Sequence, residues 1–157
     1  MTSSDTKSIA RGKVLKRLAV RDHSVAEIRA FLARNGFNET LIENVILELR
    51  TEGLLDDQRF ARALSASCVA RGKGPAYILA KLRQKGVSVS SHDAKQLFRE
   101  VMSEGEEMEL ARKIIARKYP EANRSMKIYR RAHQALLRNG FSTDLIRKAL
   151  GAPPLSE

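Results

Sequence analysis

Two adjacent carboxylates, Asp56-Asp57, are the first residues in this chain whose types suggest chemistry, because paired acids can share a proton or hold a metal ion. No third carboxylate or histidine follows at a suitable spacing, and acids placed just before a helical pattern read as caps for its first N–H groups. Gly72-Lys73-Gly74 suggests a phosphate loop, but the G-x-x-x-x-G-K-[ST] spacing is absent and no strand precedes it. It reads instead as a helix-to-helix corner whose glycines and Lys73 are still able to meet a backbone phosphate. The lone Cys68 excludes an internal disulfide and a Cys-based zinc site, and its place near an apolar helix face marks a structural thiol. His23, His92 and His133 show no metal-ligand spacing, and His133 borders an inner helix face. No catalytic constellation emerges, so the chain reads as a non-enzyme with no cofactor and no metal.

The basic residues carry more information. Among 157 residues, 29 Lys and Arg against 18 Asp and Glu give a net charge of +11 and a pI near 10.2, a field that favours a polyanionic partner. In the helix expected from Ser125, Lys127, Arg131 and Arg138 follow one side, with Arg124 and Arg130 on its flanks. The apolar stripe Ile128, Ala132, Ala135 and Leu136 lies on the other side. Acids are missing from Asn123 to Thr143, so this helix cannot form the usual i,i+4 ion pairs, and its cations read as an anion-binding face. Lys73, Lys81 and Lys85, with Arg83, form a second and less coherent cluster. Without aromatics interleaved on these faces, base stacking has little support, so the contact expected with DNA, single- or double-stranded, is weak and sequence-independent, and an acidic protein surface is the other polyanion the charge favours.

These residues need helices to position them. Hydrophobic content is 43% with no Trp and few other aromatics, a composition suited to helix-on-helix packing around Leu, Ile, Val and Ala. Residues 1–7 read as a frayed terminus, with periodicity starting near Ile9 and an inner side of Ile9, Val14, Leu15 and Leu18. Ser24 and Glu27 form a capping box, and Asn35-Gly36 ends the helix that follows. A third helix runs from about Glu39 to Thr51. The second block places Phe60, Ala61, Leu64, Ser67 and Cys68 inward, turns at Gly72–Pro75, stops at Gly86, and adds a helix through Leu97, Val101 and Met102 that closes near Gly105. The third begins with Glu106 and Glu107 and ends after a short helix, Thr143 to Leu150.

Helix stops at Gly36, Gly86 and Gly140 recur at close to 50 residues, and Leu32-Ala-Arg-Asn-Gly-Phe37 aligns with Leu136-Leu-Arg-Asn-Gly-Phe141. At the same offset Leu41-Ile42 aligns with Leu145-Ile146. The fold expected is all-α: three tandem three-helix repeats, 1–53, 54–104 and 105–157, forming an elongated curved body. The polar start MTSSDTKSIARGK lacks the apolar stretch of a signal peptide, and no run of apolar residues is long enough to span a bilayer. A cytoplasmic monomer with no membrane partner is expected.

The central stretch, Leu55-Asp56-Asp57-x-Arg59-Phe60-Ala61 followed by Arg71-Gly72-x-Gly74-Pro75-x-x-Ile78-x-x-x-Leu82-x-x-Lys85-Gly86-Val87, closely resembles the hallmark of the RecX family. Length, basic charge and the three modules are similar to that family across nearly the whole chain. The resemblance implies a modulator, usually an inhibitor, of the bacterial recombinase RecA. It also implies docking along the groove of the RecA–DNA filament, and so a place in recombinational repair and the SOS response. The family pattern often has a basic residue where Cys68 stands, and more of them after Gly-Pro, where this chain has Tyr77 and Leu79. The rival reading is a direct DNA-binding helical regulator acting without RecA, although Glu39, Glu43 and Glu48 on its presumed recognition helix face phosphate badly.

Overall fold

The computed structural model describes residues 2–155, among which there are nine α-helices and no strand. In chain order they are α1 (Ser3–Leu18), α2 (Val25–Arg34), α3 (Glu39–Thr51), α4 (Asp57–Ala70), α5 (Pro75–Gln84), α6 (Ser91–Val101), α7 (Glu104–Lys118), α8 (Met126–Arg138) and α9 (Thr143–Leu150). The all-helical expectation holds.

Local chemistry sets most helix ends. Ser24, Ser90 and Ser103 each accept an N–H at the start of α2, α6 and α7, while Glu27, Asp93 and Glu106 return the bond to the cap backbone. Gly36, Gly72, Gly86 and Gly140 follow helix ends with φ between 74° and 91°, a conformation that a side chain disfavours.

The chain falls into two compact units. The first comprises residues through Ala63 with Leu82–Ser88; the second comprises Leu64–Lys81 with the chain from Val89 on. In the first, Ala10, Val14, Ile28, Leu32, Ile42, Val45, Ile46, Leu49 and Leu55 make one buried cluster. In the second, Ala111, Leu136, Phe141 and Ile146 are buried together, with Leu110, Ile114 and Ile115 packed against them.

Four details differ from the sequence reading. The chain is helical from Ser3, because Thr2 and Asp5 form a capping box ahead of the periodic residues. On α1 the buried residues are Ala10 and Val14, whereas Ile9 and Leu15 are 44% and 36% exposed, so the inner stripe is narrower and made of smaller side chains. On α4 and α6 the apolar face is rotated: Ser65 and Phe98 are fully buried, while Ser67 and Val101 are exposed. Gly105 does not close α6. That helix ends at Val101 with Met102 as its cap, and Gly105 sits in the first turn of α7 behind the Ser103 cap.

Candidate polyanion-binding site

Helix α8 begins where the Ser125 hydroxyl accepts the Ile128 N–H at 3.4 Å. Ala132 and Leu136 are fully buried, with Ile128 and Ala135 half-buried beside them, so the apolar stripe faces inward as expected. Lys127, Arg130, Arg131 and Arg138 are all exposed, and their spacing places them along one side of the helix. Among the described residues none of these four has a carboxylate within ion-pair distance. Like charges three and four residues apart cost a few tenths of a kcal/mol each on a helix, a cost that an external anion removes. Arg124 differs from the expectation: it lies in the turn before α8 and pairs with Glu121 at 3.8 Å. The pair is widely exposed and so contributes little, but it takes Arg124 out of the unpaired set.

The Gly-Lys-Gly corner seats the end of α8. The Gly74 N–H donates to the Asn139 carbonyl at 2.6 Å, and the Ala76 N–H donates to the Gly140 carbonyl at 3.2 Å. Pro75, which has no N–H to offer, occupies the first position of α5, and Ile78 and Leu82 are fully buried behind it. Lys73 Nζ donates to Asn139 Oδ1 at 2.8 Å and stands 5.0 Å from the centre of the Tyr77 ring; Lys81 stands 5.7 Å from the same ring. Tyr77 therefore holds two of the candidate cations by cation–π attraction. Beside this corner opens a cleft of about 430 Å³ whose lining includes Arg71, Lys73, Lys113, Arg117 and Lys118. The last three were missed in the sequence because they alternate with Ile114 and Ile115 and look like an ordinary wet face.

Lys85 is committed elsewhere. In the first unit its ammonium pairs with Glu27 Oε1 at 3.0 Å, and its carbonyl accepts the Ser24 hydroxyl at 2.6 Å. Glu27 also takes bonds from Arg21 and the Ser24 N–H. Burial alone would raise its pKa, but hydrogen bonds from Arg21, Lys85 and the Ser24 backbone hold it at about 2. Lys85 is thus a structural cation more than an anion-binding one.

The remaining motif residues build the frame. Asp56 Oδ1 accepts the N–H groups of Gln58 and Arg59, whereas Asp57 Oδ1 reaches across to accept the Val25 N–H, the first of α2, at 2.9 Å. The two acids point apart and serve different helices. Arg59 bonds Asp22 and the carbonyls of Gly53 and Leu54, and Phe60 is buried. Arg71 folds back onto the Ser67 carbonyl, Gly72 turns the chain at φ 74°, and a side chain on Gly86 would collide with Ala26. Among the described residues no group of three His, Cys, Asp or Glu gathers where a metal ion could sit. No helix there is long and apolar enough to cross a membrane.

Three profiles match the chain in order: the RecX first three-helix domain at residues 10–49, the second at 56–90 and the third at 105–150. The chain is 35% identical over 147 residues to the regulatory protein RecX of Halorhodospira halophila, covering 90% of this chain and 86% of that one. The chain belongs to the RecX family. RecX of Prosthecochloris aestuarii is 36% identical over 152 residues, with 96% of each chain covered, and RecX of Trichlorobacter lovleyi is 33% identical over 153, covering 94% of this chain and 97% of that one. The crystal structure of RecX from Lactobacillus salivarius has the same fold, with a TM-score of 0.79 at 20% identity over 94% of this chain and 96% of that one. A second crystal structure, of a regulatory protein RecX, gives a TM-score of 0.80 at 21% identity over 94% of this chain and 74% of that one. The RecX relatives are named regulatory proteins.

Proposed function

We propose that this chain is a negative modulator of RecA that binds the RecA–DNA filament and limits filament growth, ATPase and strand exchange. Its setting is the cytoplasm, in recombinational repair and the SOS response, and it acts as a monomer whose modules are the blocks 1–53, 54–104 and 105–157. Membership of a family named for RecX regulators supports this reading. The observation that carries it is the α8 face, where Lys127, Arg130, Arg131 and Arg138 are exposed and, among the described residues, without carboxylate partners. Seated in the filament groove, these four cations satisfy DNA phosphate or an acidic protein surface. An occupied groove excludes a homologous duplex and hinders the protomer motions of ATP turnover.

The rival, a sequence-reading DNA regulator acting without RecA, fits the first unit poorly. Its third helix carries Glu43 paired with Arg29 at 2.7 Å and Glu48 paired with Lys7 at 3.2 Å, so these cations on that side are already spent on carboxylates and not left for phosphate. RecA ATPase and strand-exchange assays with the full chain added at ratios near one per several protomers test the proposal. Inhibition is expected. No effect at that stoichiometry, together with sequence-selective binding to naked duplex, would favour the rival.

A further inference from the structure

We infer that the cleft between the Arg71–Lys73 corner and the last turns of α7 is a second anion site, which holds the phosphodiester rail of a single nucleic-acid strand. The choice of ligand rests on the reading that this chain meets a nucleoprotein; the site itself rests on its own geometry. Five cations line the cleft, Arg71, Lys73, Lys113, Arg117 and Lys118, and no carboxylate does. Arg117 and Lys118 are exposed and have no carboxylate partner among the described residues. Among the described residues Lys113 pairs with Glu109 alone, 3.2 Å away and widely exposed, a contact that water and salt weaken. The bonds from Arg71 go to the Ser67 carbonyl and to the Cys68 sulfur, neither of them an acid.

A plainer use for such cations is to complement helix C-termini, and three helices end here: α4, α7 and α8. The magnitudes decide against that as the whole account. Each terminus carries about half a negative charge, so the three supply about −1.5 against five full positive charges. The terminal carbonyls are also already bonded by the backbone: Lys73 N–H to Cys68 at 3.0 Å, Tyr119 N–H to Ile115 at 2.8 Å and Phe141 N–H to Leu136 at 3.2 Å. The excess positive charge is left for a ligand.

The residue types select the ligand class. Lysine is depleted where proteins bury surface against one another, yet three of the five cations are lysines. Interfaces with nucleic acid are polar, wet and positively charged. The floor, Ala70, Leu110 and Ile114, offers apolar surface to the sugar faces between phosphates. Beside that floor Gly72 takes φ 74°, a conformation that disfavours a side chain, although a Cβ there would make only an ordinary contact with Ile114 Cδ1 at 3.7 Å. A volume of about 430 Å³ accepts one strand's backbone and cannot enclose a duplex.

Fluorescence anisotropy with a labelled oligothymidylate, the full chain and no RecA tests this, titrated against salt. The combined variant Lys113→Gln, Arg117→Gln and Lys118→Gln should weaken binding by roughly tenfold at low salt and reduce the salt slope by about 2, since each single-strand phosphate contact accounts for about 0.7. Replacing Lys113 and Lys118 by Arg should keep both. Circular dichroism checks that helices persist; were the triple variant to lose them, the single variants Arg117→Gln and Lys118→Gln should each reduce the slope by about 0.7. Unchanged affinity and slope would overturn the inference, and so would displacement of the oligonucleotide by polyglutamate at equal charge concentration. Because RecA is absent, failure here leaves the RecA proposal standing, and failure of RecA inhibition leaves the cleft standing.

Discussion

Gly74 and Gly140 lie backbone to backbone: a Cβ added to Gly74 would stand 2.6 Å from the Gly140 carbonyl oxygen. The clasp recurs in kind in the other unit, where Gly86 abuts Ala26 and the Ser24 hydroxyl bonds the Lys85 carbonyl at 2.6 Å. In both, a helix ends on the start of another, and glycine is needed because backbone has to touch what it packs on.

Gly74→Ala should therefore destabilise the fold by roughly 1–3 kcal/mol, the range for an overpacked site. Gly12→Ala should do the reverse. Gly12 lies inside α1 with nothing within 4 Å of an added Cβ, and alanine should add about 0.5–1 kcal/mol. Thermal unfolding reads both, as a shift of about 2–4 °C per kcal/mol for a chain of this size.

The Glu27 carboxylate gives a pH signature. Its pKa falls from 4.5 to about 2 on folding, so its contribution is complete above pH 4.5 and is lost as pH drops toward 2. The stake is on the order of 3 kcal/mol. Urea unfolding at neutral and acid pH should show this limb in the native chain and a flatter one in Glu27→Gln. His23, whose pKa is pushed down by burial first and by Arg21 next, adds a separate loss starting as pH falls below 6.5.

In the second unit Glu107 is buried and paired with Arg99 at 2.5 Å. Arg99→Met strands that carboxylate and should cost about 3 kcal/mol, reduced by the partial exposure of the arginine. The double variant Arg99→Met with Glu107→Leu should recover most of the loss. Chemical unfolding of the three proteins checks the cycle.

Reversing Lys127 and Arg131 to Glu should relieve inhibition of RecA severalfold while leaving helical content unchanged, because both side chains are exposed on the outer side of α8. Dose–response curves of RecA ATPase against each protein, with circular dichroism alongside, measure this. Full inhibition by the variant would mean that the face is merely solvated.

Features set by neighbours in the chain were legible in the sequence: the Ser24–Glu27 box, the stops at Gly36 and Gly140, Pro75 opening α5, and the cation-bearing side of α8. Features set by distant partners were not. Asp57 reads as a cap for its own helix, yet it serves Val25, 32 residues away. Periodicity alone cannot fix rotation to within one residue, which is why Ser67 and Val101 were expected where Ser65 and Phe98 are buried. Lys85 reads as a free cation because its partner, Glu27, lies 58 positions earlier. The cleft draws Arg71, in the turn just past α4, together with Arg117 of α7, so no local pattern announces it.

The central claim is that α8 meets the filament groove. A density map of a RecA–DNA filament decorated with this chain tests it most directly. The account predicts density in the groove with Lys127, Arg130, Arg131 and Arg138 turned toward DNA phosphate or an acidic RecA surface. Density confined to filament ends, or an α8 that faces solvent along the groove, would contradict it.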